Sequence, residues 1–293
     1  MKMKNTFLWL VILFATSCQD EPIGLPSPID DKIFFTGLDC TGSGEYSFNP
    51  DNLLEDLIIS DSLPESYDLS NLLPPVGNQG QQGSCTSWAV SYYMKSLQEN
   101  LKTELQDTSS VIMSPSFTYN QITQGNCEGT GISETLDFIK EKGVCSIQEF
   151  PYSDGSCSIQ PADSVMKLAE NAKISDYKNL SGNNMVLEMK TLITEQTPII
   201  IGAYLSAEFG KLDEFDVIAY RDHKVDYSSN RCHAMLVVGY SDTYNAFKVV
   251  NSWGSDWGND GFIWIDYKAF ENVLDENAEF KVINQAYIAY DLK

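Results

Sequence analysis

The sequence predicts an α+β fold with a groove between a helical first half and a strand-rich second half. Three observations carry this. Strong periodicity starts near Leu63, apolar residues recur at helical spacing up to about residue 143, and β-branched or aromatic runs dominate after residue 196. Cys85 to Leu101 carries Trp88, Tyr92, Leu97 and Leu101 on one helical face, and SETLDFIKEKG from Ser133 ends at Gly143 as a C-capped helix does. A third helix is expected over Met185 to Thr194. The segments PIIIGAYL, HAMLVVGY, AFKVVNSW, GFIWIDY and QAYIAYDL, bounded by Gly, Asp, Asn and Ser, then read as strands. No internal repeat or low-complexity tract interrupts the pattern.

With 293 residues, 43% of them hydrophobic, the chain supplies the core of one large domain or two lobes. Nineteen basic against 41 acidic side chains give a formal charge of -22, which repels phosphate backbones and excludes nucleic acid as a partner.

The N-terminus places Lys2 and Lys4 before an apolar run from Phe7 to Ala15 that is too short to span a bilayer, so residues 1–17 read as an export signal. The following ATSCQDE resembles a bacterial lipoprotein cleavage site, which implies acylation of Cys18, a lipid bilayer as partner and attachment to the outer membrane. Both orientations, periplasmic face and cell surface, stay open. The alternative is a plain secretory signal that leaves Cys18 a spare thiol. Residues 18–62 form an acidic tether rich in Pro and Gly, in which only KIFF and LLEDLII are sticky enough to dock, and the folded domain is expected over 63–293.

Cys85 follows Gly83 and Ser84 and opens a helix-compatible run, so unpaired N–H groups of a first turn would stabilise a thiolate there. A lone cysteine in that setting is otherwise a small buried hydrophobe, and a nucleophile needs a base. Of the two histidines, His223 lies in a charged stretch that reads as a solvated loop. His233 instead begins an apolar strand, where the backbone would hold an imidazole at a cleft. Asn251 follows another strand, and an antiparallel neighbour would bring its amide to that imidazole. Cys, His and a carbonyl acceptor together make an activated nucleophile.

PVGNQGQQGSCTSWA, CHAMLVVGY and NSWGSDWGNDGF occur in that order, and from about Leu63 onward the chain resembles a papain-like cysteine peptidase. His233 falls within the family's usual separation of about 130 to 150 residues after the cysteine, and Asn251 slightly beyond it. The resemblance implies a two-lobed papain-like fold, with a helical N-terminal lobe and an antiparallel, β-barrel-like C-terminal lobe. It also implies Cys85 as nucleophile, His233 as its proton partner, Asn251 as orienter and Gln79 as oxyanion donor. Gly129, Thr130, Ile132, Ala234 and Trp253 would line the substrate groove, Trp253 also shielding the Asn/His bond from water. MSPSFTYNQ resembles the short helix after the first long one. Protein or peptide substrates are implied, and no cofactor. The sequence offers no metal site, having no CxxC pair and two histidines far apart.

The chain departs from the family where Gln82 replaces a cysteine and Thr86 a tryptophan. Gln82 removes the usual partner of the cysteine that Cys127 resembles. Cys145 with Cys157 and Cys127 with Cys157 are both open pairings, and among Cys40, Cys127, Cys145, Cys157 and Cys232 an odd thiol must remain. Strand alternation makes Cys232 structural, a redox handle being the alternative. Thr130, beside Gly129, is expected to crowd the side of the groove ahead of the cut, and the short arm 19–62 is expected to hold the enzyme or leave it nearly active. Other acyl transfers, such as deamidation or transpeptidation, need the same residues, and a binding role on a silent scaffold is the third reading. Oligomeric state is not set by the sequence.

Overall fold

The computed structural model describes residues 35–39, 52–55, 57–60, 62–103, 111–180, 184–205, 209, 218–219, 232–271 and 282–292. Phe34–Lys293 form one compact unit; Met1–Ile33 form a second that lies outside the described residues. Residues 1–17, expected to be an export signal, and Cys18, Cys40 and His223 also fall outside them. Among the described residues no helix is long and apolar enough to cross a membrane.

The first long helix is built in three parts: α1 (Cys85–Ser87), a π-helical stretch Trp88–Lys95, and α2 (Ser96–Thr103). The wide turns of the middle part differ from the plain α-helix predicted. Tertiary bonds from its aromatic face hold them open: the Tyr92 hydroxyl donates to Pro75 O at 2.7 Å, and that of Tyr93 to Asn251 O at 2.8 Å. Ser114 caps α3 (Pro115–Thr123) by accepting from Phe117 N at 3.1 Å, with Pro115 at the first helical position. α4 (Ile132–Lys142) stops at Gly143, where φ is 77° and an added Cβ would lie 1.9 Å from Ala169 O. Two further helices, α5 (Asp163–Ala169) and α6 (Met185–Thr194), complete the helical part; α5 has no counterpart among the predicted elements.

The strands are β1 (Ser66–Asp68), β2 (Ile174–Asn179), β3 (Ile199–Tyr204), β4 (Ile218–Ala219), β5 (Cys232–Ser241), β6 (Ala246–Val250), β7 (Phe262–Asp266) and β8 (Ile283–Asp291). They pair in the order β2-β8-β3-β5-β6-β7-β4, with β1 added to β5. Every residue of β5 is buried, as its near-continuous apolar run requires. All pairings are antiparallel except β4 with β7.

The predicted barrel-like lobe is, among the described residues, an open path. Its β2 edge is covered instead of closed: Leu53 bridges Asn179, and Leu54 N donates to Asn179 O at 2.9 Å, which gives an exposed ladder partners from the N-terminal arm. Leu54 and Leu57 also pack on the main core, so the compact unit begins before Leu63. Across the helix–sheet boundary Lys95, its side chain fully buried, pairs with Glu99 at 2.6 Å and with Asp291 at the end of β8 at 2.5 Å.

Candidate active site

The loop before Cys85 is zipped to the loop after β6. Asn78 bridges Trp253, Gln79 N donates to Ser252 O at 2.8 Å, and Gly254 N donates to Gly77 O at 3.0 Å. Two stretches far apart in sequence thereby form one wall. On the other side Ala234, the third residue of β5, donates its N–H to Cys85 Sγ at 3.4 Å.

His233 Nε2 and Asn251 Oδ1 are 2.7 Å apart, and Ser252 N donates to the same oxygen at 2.7 Å. The backbone donor fixes that atom as the amide oxygen, so Nε2 must carry the imidazole proton. In the neutral ring Nδ1 then bears the lone pair, the state a general base needs. Trp253 stacks on the imidazole with ring centroids 4.7 Å apart, and Trp257 meets Trp253 edge-on at 5.2 Å. Gln79 is fully buried: its Nε2 donates to Gln82 O at 2.8 Å and its Oε1 accepts from Ser252 Oγ at 2.6 Å. An amide nitrogen has two hydrogens, so one remains after the Gln82 bond.

Cys85 is 0% exposed, and burial pushes its thiol from an ordinary 9.0 up to about 11. Bonds from Ala234, Thr86 and the Gly37 backbone act in the opposite direction and are outweighed. Desolvation thus works against the thiolate expected at this helix start, and the hydrogen bonds to the sulfur work for it.

The groove is filled by the chain itself, through a strap formed by Phe35–Asp39. Trp253 Nε1 donates to Phe35 O at 2.9 Å, Thr130 N donates to Gly37 O at 2.9 Å, and Asp39 N donates to Thr130 O at 3.4 Å. Leu38 is buried and bridges Thr130 in parallel register. Gly129 and Thr130 therefore face the strap, while Ile132 is fully buried at the start of α4.

Cys127 pairs with Cys157, their Cα atoms 5.5 Å apart; Cys145 is a buried free thiol and Cys232 is disulfide-bonded. This decides between the two pairings left open by spacing. Where Gln82 displaces a cysteine, polar bonding takes over: the Tyr152 hydroxyl lies 2.8 Å from Gln79 O, 2.8 Å from Ser84 Oγ and 3.2 Å from Gln82 Oε1. Sequence reasoning missed Ser252, Trp257 and Tyr152, and although it expected KIFF to dock it did not place Gly37 and Leu38 at Cys85 and Thr130. Ser252 and Trp257 sat inside the quoted NSWGSDWG block, whereas nothing local marks Tyr152 or the residues 36–39 that follow KIFF. Among the described residues no group of three or more His, Cys, Asp or Glu side chains is placed to hold a metal.

A helical layer against an antiparallel sheet, with this groove between, is the papain-like fold. Xylellain, a cysteine protease from Xylella fastidiosa, superimposes with a TM-score of 0.69 at 21% identity over 89% of this chain and 96% of its own. The bromelain protease from Ananas comosus gives 0.59 at 19% identity over 78% and 99%. The chain belongs to the papain family of cysteine proteases, whose profile matches residues 63–281. Cathepsin K of Mus musculus is 29% identical over 210 residues, 68% of this chain and 59% of its own. An uncharacterized peptidase C1-like protein of Acanthamoeba polyphaga mimivirus is 25% identical over 219 residues, 71% and 69% of the two chains. The match thus spans 59% to 69% of these relatives' lengths.

Proposed function

We propose that the protein is a lipid-anchored cysteine endopeptidase that cuts peptide bonds outside the cytoplasm. The observation that carries this is the 2.7 Å bond from His233 to Asn251, on the residue next to the one that donates to Cys85 Sγ. Substrate residues ahead of the scissile bond lie along Gly129 and Thr130, with the pocket near Ile132 taking the side chain two residues before the cut. With the groove open to water, Cys85 gives its proton to His233 Nδ1 and the thiolate attacks the carbonyl carbon. The resulting oxyanion is held by the Cys85 N–H and the remaining Gln79 N–H. Collapse of the tetrahedral intermediate breaks the C–N bond as His233 protonates the leaving amine, giving a thioester. Water then attacks the thioester with His233 as base, releasing the acid and restoring the thiol. Asn251 holds the ring in the tautomer that each step needs, under the cover of Trp253. The lipid on Cys18 keeps the enzyme at the outer membrane.

The test is protein lacking residues 1–18, treated to open the groove, then incubated with an unfolded protein and an epoxide selective for this class. Fragments that disappear in Cys85→Ala, with label on Cys85, are expected. Label without fragments redirects the assignment to another acyl transfer, and the absence of both label and fragments refutes catalysis. For the anchor, Cys18→Ala is expected to move the protein from the membrane to the soluble fraction; retention at the membrane overturns that part.

A further inference from the structure

We propose that Tyr152 is a positioning residue for the oxyanion hole: its hydroxyl, bonded at once to Gln79 O and Ser84 Oγ, holds the two N–H donors at a fixed spacing. This rests on the peptidase reading above, in which those donors are the Gln79 side chain and the Cys85 backbone. Ser84 supplies the carbonyl half of the peptide that carries the Cys85 N–H. One phenolic oxygen therefore touches the residue of one donor and the residue before the other.

The donors need an outside brace. Between Gln79 and Ser84 the chain runs Gly-Gln-Gln-Gly, belongs to no helix or strand, and turns through a left-handed φ of 60° at Gly80. Two glycines in four residues leave such a stretch free to spread unless something fixes it. With Gln82 at the family's cysteine position, residues 79–84 hold no cysteine, and no disulfide fastens them.

Hydrogen bonds do so from both sides. Ser252 holds the inner face of Gln79, its carbonyl accepting from the backbone N–H and its hydroxyl donating to Oε1. Tyr152 and Asp154 hold the outer face. The Tyr152 hydroxyl has one hydrogen, and Gln79 O at 2.8 Å, against Gln82 Oε1 at 3.2 Å, takes it. Its oxygen then accepts from Ser84 Oγ, also at 2.8 Å, so Ser84, Tyr152 and Gln79 form a directed chain. Asp154 Oδ2 accepts from Gln81 N at 3.2 Å and fills the space that a Cβ on Gly80 would need. Gln79 and Ser84 are fully buried, so water does not reach in to replace a bond taken away.

The brace is itself anchored. The Tyr152 ring packs edge-on against Trp88 with centroids 4.7 Å apart, Ser153 N donates to Ser116 Oγ of α3 at 3.3 Å, and Cys157 is bonded to Cys127. The link from Cys127 to the loop before the nucleophile, lost with the cysteine at position 82, is thus rebuilt in two stages, a disulfide to Cys157 and hydrogen bonds from Tyr152.

The parent protein for the experiment lacks residues 1–18 and carries Gly37→Ala, whose Cβ meets Gly83 O and unseats the strap. Tyr152→Phe, which keeps the ring and removes the hydroxyl, and Ser84→Ala are made in it. The measurements are kcat and KM on a peptide that the parent cuts, protection of Cys85 from iodoacetamide by the aldehyde acetyl-Leu-Leu-argininal, and the alkylation rate without aldehyde. Cys85 Sγ bonds to the aldehyde carbon while the carbonyl electron pair moves onto oxygen, which takes the thiol proton. That adduct uses the hole whether or not a peptide is cut, whereas alkylation displaces iodide and forms no oxyanion. Tyr152→Phe is expected to lower kcat and aldehyde affinity about tenfold, with KM and alkylation within about twofold of the parent. Ser84→Ala is expected to give a smaller loss of the same kind and to add little to Tyr152→Phe. Unchanged kcat and aldehyde affinity in Tyr152→Phe overturn the brace and leave the peptidase reading in place. A loss that appears equally in alkylation overturns it too, as a general loosening of the site. Weaker aldehyde protection in Tyr152→Phe, with no cleavage by any of the proteins, keeps the brace and overturns peptide cleavage alone. Neither protection nor cleavage in the parent overturns both.

Discussion

The indole of Trp253 lies against the His233 imidazole, ring centroids 4.7 Å apart and planes 30° from parallel, while its N–H donates to Phe35 O at 2.9 Å. One side chain thus serves two states, covering the His233–Asn251 bond and clamping the strap. Trp253→Phe keeps a ring but loses the donor, and in the otherwise wild-type chain it is expected to speed Cys85 alkylation several-fold. Trp253→Ala in the Gly37→Ala background is expected to lower kcat/KM about tenfold or more, through water reaching the His233–Asn251 bond. An unchanged kcat/KM in the alanine variant rules out the shielding role.

Ser252 ties the two halves of the machinery together, donating its hydroxyl to Gln79 Oε1 at 2.6 Å and its N–H to Asn251 Oδ1 at 2.7 Å. It is a positioning residue. In the Gly37→Ala background, Gln79→Ala is expected to cost about 10²-fold in kcat. Ser252→Ala is expected to cost about tenfold in kcat with KM little altered, and to add little in a Gln79→Ala protein. Fully multiplicative losses in the double variant separate Ser252 from Gln79.

Lys95 joins the first helix to the last strand through Glu99 and Asp291 while being wholly buried. Removing it strands two carboxylates at a dry boundary, although Lys102 still reaches Glu99 at 3.0 Å and Asp291 at 2.7 Å. Lys95→Ala is expected to lower unfolding free energy by about 3 kcal/mol, at the low end for a broken buried pair because of that second lysine. Urea unfolding measures it, and a loss below about 1 kcal/mol shows that Lys102 carries the load.

Alkaline solution should weaken the fold. Burial raises Cys85 to about 11, and Cys145 and Tyr92 each to about 12. Groups raised by folding hold their proton longer when folded. Their contribution is complete below the ordinary values of 9.0 for Cys and 10.0 for Tyr, and is lost as pH climbs through the raised ones. The unfolding free energy is expected to fall from about pH 9 upward, by about 1 kcal/mol per pH unit for each group, and the urea midpoint with it. Cys145→Ala should flatten part of that slope; a midpoint level from pH 8 to 11 contradicts these burial effects.

The sequence made the long strands legible because their apolar runs end in Gly, Asp or Asn, and β3, β5, β6, β7 and β8 all coincide with them. Cys85, His233 and Asn251 stood out because each begins or follows a strongly patterned element, with glycines supplying the turns around two of them. The π-helical turns stayed hidden, since they depend on Tyr93 reaching Asn251 O from a distant strand end. Short β1 and β2 and helix α5 carry too few residues for a period to register. KIFF marked the N-terminal arm as able to dock, but its place in the groove stayed hidden, because Thr-Gly-Leu-Asp has no pattern of its own and its partners Gly83, Thr130 and Trp253 come from three separate stretches. Disulfide choice needed the 5.5 Å Cα approach of Cys127 and Cys157, which spacing does not encode.

The placement of β8 between β2 and β3 sets a timetable for biosynthesis. Until the ribosome has released residue 291, β2 has no neighbour on its β8 side and Lys95 lacks one of its counter-ions. The nascent polypeptide therefore lacks its full sheet for as long as any of β8 is still to be made, and a working blade exists only after the last strand has been added.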